Sequence, residues 1–144
     1  MSAQDNYFEA MENWVNTYLF RSLSGYFDYI KTTGISMQQA YALTYIYHNR
    51  TGKISKICEH MMVTAAATSQ MVDRLEKLNL VVRTADPEDR RVRNVALTAE
   101  GEDFVSQSIE ARKSWITQIP TGLSDEQFDH IAGALQQLTK IYQE

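Results

Sequence analysis

Apolar residues recur along most of this chain at helical spacing, and the breaks in that spacing mark where the chain turns. Phe8, Met11, Val15, Tyr18, Leu19, Tyr26, Phe27 and Ile30 form a stripe that predicts a helix over about 5–31. Asp5 is the candidate cap at its start. Thr32-Thr33-Gly34 is the stop, because glycine suits the left-handed position that ends helices. Ser36-Met37-Gln38-Gln39 has the form of a capping box, with the serine accepting from the N3 amide and Gln39 bonding back. The helix it opens runs to about 48 or 49, where Thr51-Gly52 is expected to close it. Ile54, Ile57, Cys58 and Met61 give the buried face of a short third helix, about 54–61. A break at Met62-Val63 follows, and Thr64 is the N-cap of a fourth helix over about 65–78. Its periodicity puts Thr68, Met71, Val72, Leu75 and Leu78 on one side and Ala66, Ala67, Gln70 and Arg74 on the other.

The period then drops to two. Leu80-Val81-Val82-Arg83-Thr84 reads as one strand, and Val92, Val95 and Leu97 with polar neighbours read as its returning partner. Asp86-Pro87 starts the turn between them, since proline fixes its own φ and aspartate bonds to nearby backbone. Arg90, Arg91 and Arg93 therefore sit at or near the tip of a ribbon. Thr98 can cap a fifth helix to about 118, Pro120 and Gly122 punctuate, and Ser124-Asp125-Glu126-Gln127 is a second capping box. The sixth helix carries Phe128, Ile131, Leu135, Leu138 and Tyr142, a seam of coiled-coil type. Core packing within one chain would use part of this. The first, fifth and sixth helices are long, however, and the compact middle cannot cover all three stripes, so the ends of the chain are expected to form a subunit interface. The expected fold is mainly α: six helices and one β-hairpin in a single structural domain. Residues 1–34 are an N-terminal dimerisation helix, 35–98 the middle region with its hairpin at about 80–97, and 99–144 the C-terminal dimerisation helices.

Composition narrows the chemistry. The chain has 144 residues, 44% of them apolar, enough for one real core. No apolar run approaches the ~20 residues of a membrane span, and the first residues lack the basic and apolar regions of a signal peptide. The single cysteine, Cys58, rules out a disulfide within the chain and suits a reducing cytoplasm. His48, His60 and His130 are scattered, so no metal site is expected. No glycine-rich phosphate loop, nucleophile elbow or clustered His/Asp/Glu set is present, so neither an enzyme nor a cofactor is expected. The net charge is −4, but it is unevenly spread. From Arg50 to Arg93 nine basic residues face six acidic ones, a local +3, and the remainder carries −7. An acidic body with a basic middle suits a protein that offers one face to a polyanion.

Short helix, tight turn, amphipathic helix and basic-tipped hairpin stand in the order of a winged helix-turn-helix. In that arrangement the second helix enters a major groove ~12 Å wide and the first holds its angle. The wing reaches phosphates or the neighbouring minor groove, whose negative potential attracts arginine.

Four runs carry a resemblance to the MarR family of bacterial transcription regulators: Ile54-Ser55-Lys56-Ile57-Cys58-Glu59, Val72-Asp73-Arg74-Leu75-Glu76-Lys77-Leu78-Asn79-Leu80-Val81, Asp86-Pro87-Glu88-Asp89-Arg90-Arg91 and Leu97-Thr98-Ala99-Glu100-Gly101. As a set they are highly specific. They cover the middle third of the chain in motif and nearly all of it in element order. The resemblance implies a homodimeric regulator, a repressor in the first instance, whose two winged-helix lobes read a pseudo-palindromic operator in double-stranded DNA. In many members a small, often phenolic, molecule releases the DNA. Carried over residue by residue, Arg91 resembles the family's minor-groove arginine, with Asp89 orienting it. Arg90 and Arg93 suit phosphate or the wing's own acids. Ala66, Ala67 and Gln70 occupy the base-reading face, with Thr64 at its start. For Arg74 a salt bridge to the wing and a phosphate contact are both open.

Two departures matter. Relatives usually have glycine in the turn before the recognition helix, where this chain has Met62; they usually carry Ser, Thr and Arg on that helix, where it has Ala65-Ala66-Ala67 and Gln70. Alanine touches only thymine methyls, so A-T-rich sites are expected, read by Gln70 at adenine and by shape through Arg91. Cys58 reads as a structural thiol; the family's oxidation sensors carry theirs in the first helix, which here has none. Tyr26, Tyr29, Tyr41 and Tyr45 either pack the core or line a pocket for a flat aromatic or apolar effector between the first two helices, with His48 and Arg50 as a polar handle. The competing reading is a winged-helix protein-interaction module with weak or no DNA binding. The two part at the wing: DNA binding needs Arg90 and Arg91 exposed on the side of Gln70, and the interaction module would bury them against Asp86, Glu88 and Asp89.

Overall fold

Serine or threonine side chains open five of the six α-helices found among the described residues. The computed structural model describes residues 2–50, 52–85, 93–118 and 122–143. Ser2 caps α1 (Ala3–Thr33), Ser36 caps α2 (Met37–Asn49), Thr64 caps α4 (Ala65–Lys77), Thr98 caps α5 (Ala99–Lys113) and Ser124 caps α6 (Asp125–Ile141). The short α3 (Ile54–Met61) is entered directly from a strand and has no side-chain cap. The boxes at Ser36 and Ser124 close in both directions, as their spacing predicts. At the first helix the expectation fails by one turn. Asp5 is the N3 residue of a third box, its carboxylate accepting from the Ser2 amide at 2.8 Å while its own amide donates to Ser2 Oγ at 3.1 Å. The backbone bond from Ser2, and then the hydroxyl, hold the Asp5 carboxyl below its usual range.

Gly34 ends α1 at φ 69°, as expected. The end of α2 differs: Arg50 takes the positive φ, 64°, and Gly52 enters a strand instead of closing the helix. That strand, β1 (Gly52–Lys53), extends the expected hairpin of β2 (Val81–Ala85) and β3 (Arg93–Leu97) to three antiparallel strands in the order β1-β3-β2. Val95 pairs with Gly52 on one side and Arg83 on the other. A two-residue strand has no period for a sequence to show.

The core lies where α2, α3, α4, α5 and the sheet meet: Ala40, Ala42, Leu43 and Ile46 from α2, Ile57 from α3, Val72 and Leu75 from α4, Val81 and Val95 from the sheet, and Phe104 and Val105 from α5. Leu78, expected on this face, is instead the exposed C-cap of α4. The next residue, Asn79, takes φ 58°, and amides 79 and 80 donate to the carbonyls of Glu76 and Leu75. This is a Schellman ending, and asparagine tolerates its left-handed position.

Two glycines set how closely α5 packs. A Cβ on Gly101 would lie 2.0 Å from the Leu80 carbonyl oxygen, and one on Gly25 would lie 2.4 Å from that of Ala111. Backbone therefore meets backbone at the α5 N-terminus and again where α1 crosses its C-terminal end. Beyond Lys113 the chain tightens into a 3-10 segment, Ser114–Gln118, in place of the continuous helix expected to 118. There Ser114 Oγ donates to the Ala111 carbonyl at 2.9 Å and Thr117 Oγ1 to that of Ser114 at 3.0 Å.

The α1 stripe divides. Met11, Val15, Tyr18, Tyr26 and Ile30 are partly or fully buried, whereas Phe8, Leu19 and Phe27 face outward, and Phe20, off the stripe, is 76% exposed. No residue of α6 is buried, and Phe128, Ile131, Leu135 and Tyr142 are all exposed. Against α1 it leaves a groove of about 250 Å³ between Tyr7, Met11 and Trp14 and the Ile131, Leu135 and Leu138 side. The chain exposes 10488 Å², whereas a compact monomer of this mass exposes about 7,600 Å². No helix among the described residues is long and apolar enough to cross a membrane.

Candidate nucleic-acid interface

The turn between α3 and α4 is built from backbone and one thiol. Met62 N–H donates to the Glu59 carbonyl and Val63 N–H to that of Cys58, both at 3.3 Å. Cys58 Sγ returns a bond to the Val63 carbonyl at 2.7 Å. The thiol is half-buried and engaged with the turn, as a structural role requires. Met62 adopts φ 52°, ψ 40° and is 92% exposed. A methionine thus stands in the left-handed conformation for which the resemblance leads one to expect glycine.

Thr64 Oγ1 accepts from the Ala67 amide at 3.2 Å, and Thr68 Oγ1 donates to the Thr64 carbonyl at 3.0 Å. Val72 and Leu75 then bury the inner face of α4. The outer face presents Thr64, Ala65, Ala66, Ala67, Gln70 and Arg74 to solvent, a strip of short side chains with one amide and one guanidinium. Arg74 makes no ion pair among the described residues; Asp86, Glu88 and Asp89, the acids of the wing tip, lie outside them.

Arg83 of β2 ties its strand to α4. Its Nη1 donates to Glu76 Oε2 at 2.6 Å, while Nη2 donates to Asp73 Oδ1 and to the Ser69 carbonyl. Its backbone amide also points at Glu76 Oε1, 3.4 Å away. Its guanidinium side chain is three-quarters shielded. A signal for this was present in the sequence: a period of two from the buried Val81 turns Arg83 inward, toward Ser69, Asp73 and Glu76 on one side of α4.

The wing-tip expectations at Asp89, Arg90 and Arg91 fall outside the described residues. Arg93 is described through its backbone only, paired with Ala85. Whether the tip arginines face solvent, the distinction between the two readings, falls outside with them.

Behind the turn, His60 lies between two α2 tyrosines. Tyr41 stacks on it at 5.4 Å with an oxygen–Nε2 distance of 2.8 Å, and Tyr45 lies 4.4 Å away, centroid to centroid. Lys56 pairs with Glu59 at 2.8 Å on the exposed side of α3, and that bond raises its ammonium pKa. Tyr26 and Tyr29 form a separate group. Tyr29 packs on Phe104 and reaches its carbonyl at 3.4 Å, and Arg112 lies 5.8 Å over the Tyr26 ring. Burial raises the Tyr26 hydroxyl pKa, against the lowering effects of Thr44 and Arg112. The four tyrosines considered as an effector pocket thus have different neighbours, Tyr26 and Tyr29 against α5 and Tyr41 and Tyr45 against His60. A groove of about 850 Å³ lies elsewhere, along α1 from Asn16 to Asp28 and under Ser114, Trp115 and Gln118. The indole Nε1 of Trp115 is buried with no hydrogen-bond partner among the described residues.

Residues 35–92 match the model of the MarR family. The HTH-type transcriptional repressor MdtR of Bacillus subtilis is 34% identical over 107 residues, spanning 72% of this chain and 69% of its own length. The crystal structure of the YusO protein from Bacillus subtilis is 26% identical, with a TM-score of 0.67 over 97% of this chain and 99% of that one. The fold also matches the transcriptional regulator Tm0710 from Thermotoga maritima at a TM-score of 0.84, with 24% identity over 94% and 95% of the two chains.

Proposed function

The chain belongs to the MarR family and is a DNA-binding transcription regulator, and from that premise we propose that it works as a dimeric repressor whose two α4 helices enter successive major grooves of one operator. The observation that carries this is the outer face of α4. Thr64, Ala66, Ala67 and Gln70 are exposed, short and uncommitted to the core, and Arg74 stands free of carboxylates among the described residues. Such a face fits a groove ~12 Å wide without clash, with Gln70 reading adenine and the alanines meeting thymine methyls. Arg91, oriented by Asp89, is assigned to the minor groove, and Arg90 and Arg93 to phosphate. An A-T-rich pseudo-palindrome is the matching site.

Dimerisation is supported by surface. The chain exposes 10488 Å², about 2,900 Å² above a compact monomer of its mass, and its exposed large apolar residues include the outward α1 aromatics and the α6 seam. A second copy that uses both faces covers them. Residues 1–34 and 99–144 then form the subunit interface, and 35–98 the DNA-binding region. That MdtR is named a repressor supports the sign of regulation. For a small apolar or aromatic effector, the groove along α1, where the Trp115 indole nitrogen has no hydrogen-bond partner among the described residues, is a second candidate beside Tyr26, Tyr29, Tyr41 and Tyr45.

The test is fluorescence anisotropy on the protein's own upstream DNA, wild type against Arg91→Ala, at two salt concentrations. Tight, salt-sensitive binding to one A-T-rich duplex, weakened by the substitution, is expected. Salt-insensitive binding, equal in both proteins, overturns the assignment of the wing.

A further inference from the structure

We propose that Arg83 is a positioning residue for DNA recognition: it touches no DNA, and by bridging Asp73, Glu76 and the Ser69 carbonyl it fixes the recognition helix and the wing strand as one body. This rests on the reading that α4 enters the major groove. Three observations carry it. The guanidinium engages both carboxylates through separate nitrogens and Ser69 through one of these, so its contacts span two turns of α4. Its own strand is held on the far side, where Arg83 pairs with Val95 of β3. The side chain is three-quarters shielded and points into the protein, away from the outer strip of Ala66, Gln70 and Arg74.

The arrangement has a purpose that plain stability lacks. Asp73 and Glu76 flank the DNA-facing strip, and uncompensated carboxylates there would repel phosphate. A lysine elsewhere could cancel that charge. The planar guanidinium does more, because bonds from two nitrogens of one rigid plane to two acids define direction as well as distance. With α4 and β2 locked, a duplex must satisfy the helix and the wing at one fixed separation. A site whose groove spacing differs loses one contact or the other, so rigidity itself becomes discrimination between sequences.

The experiment uses the full chain and a duplex that the wild-type protein selects from a randomised pool, with a shuffled duplex of the same composition as competitor. Anisotropy titrations at several salt concentrations compare wild type, Arg83→Lys and Asp73→Asn/Glu76→Gln, below the thermal midpoint of each. Arg83→Lys keeps the charge and loses the fork. The double variant keeps Arg83 and removes a repulsion. In both, the ratio of selected to shuffled affinity is expected to fall by about tenfold, on the order of one mismatched base pair. The double variant is expected to bind the shuffled duplex more tightly than wild type while discriminating less. The salt slope of Arg83→Lys is expected to match wild type. A wild-type ratio in both variants overturns the proposal. So does a slope shallower by about one in Arg83→Lys with equal loss on both duplexes, which marks a direct phosphate contact. A wild-type protein that selects no duplex overturns the groove reading itself, and the proposal with it.

Discussion

Replacing Met62 with glycine should stabilise this protein, although it deletes a large apolar side chain. Met62 sits at φ 52°, ψ 40° in the turn before α4 and is 92% exposed, so almost no burial is lost. The turn's bonds, Met62 N–H to Glu59 and Val63 N–H to Cys58, are backbone bonds and survive the change. What changes is the conformational term. An L-residue in the left-handed region costs roughly 1–2 kcal/mol, and glycine is free of that cost. Glycine in turn loosens the unfolded chain, which costs about 0.4–1 kcal/mol. The difference favours glycine by about 0.5–1 kcal/mol. For a chain of this size that raises the melting temperature by roughly 2–3 °C. Urea unfolding followed by circular dichroism is the assay, at one fixed protein concentration because subunit association shifts the midpoint. The midpoint should rise with the slope unchanged. Met62→Ala is the control: it also removes the side chain but keeps the left-handed penalty, and should match wild type. If glycine lowers the midpoint, or alanine raises it as much as glycine does, the backbone-strain argument is wrong.

Other outcomes follow from the same geometry. Gly101→Ala drives a Cβ to 2.0 Å from the Leu80 carbonyl oxygen and should destabilise by about 3 kcal/mol, the upper end for overpacking because neither partner is a flexible side chain; denaturant titration checks it. Ile131→Asp with Leu135→Lys should leave the helical circular dichroism largely intact while light scattering reports a monomer, and operator binding should go with it. Tyr26 has a raised pKa from burial, so its contribution to stability is complete below about pH 10 and is lost as pH rises through the raised value. Tyr26→Phe should flatten that alkaline decline in pH-dependent melts. Cys58→Ser should keep the bond to the Val63 carbonyl and bind DNA as wild type does before and after peroxide treatment; a loss confined to oxidised wild type would show the thiol to be a sensor.

Local chemistry was legible in the sequence, and contacts between distant elements much less so. The boxes at Ser36–Gln39 and Ser124–Gln127 could be read because both partners lie within one turn. The start of α1 was misread by three residues because Asp5 is as good a cap as Ser2, and only the length of the helix decides between them. The bounds of α3 and the cap of α4 emerged from the break at Met62-Val63. β1 was hidden because two residues carry no periodicity. For Arg74, on the helix, the family pattern leaves a wing salt bridge and a phosphate contact both open. The tie that the structure describes is made by Arg83, in the inward register of a strand whose partners become visible only when α4 packs on β2. The tyrosines show the same limit. Their types suggest a pocket, but which rings meet is settled by α5 for Tyr29 and by α3 for Tyr41 and Tyr45.

The two glycine contacts of α5 have a mechanical meaning. At one end the helix rests on the Leu80 carbonyl at the root of the wing, and at the other its Ala111 carbonyl bears on α1. At both joints the nearest contact is backbone on backbone. Between Gly101 and Ala111 the helix is a rod of about 15 Å. In a paired molecule, a swing of about 10° at the α1 joint carries the far joint through about 3 Å, roughly a quarter of a ~12 Å groove. Small tilts between subunits would then change the distance between the two reading heads, and a stiff rod hung on two tight bearings would relay such a tilt undiminished.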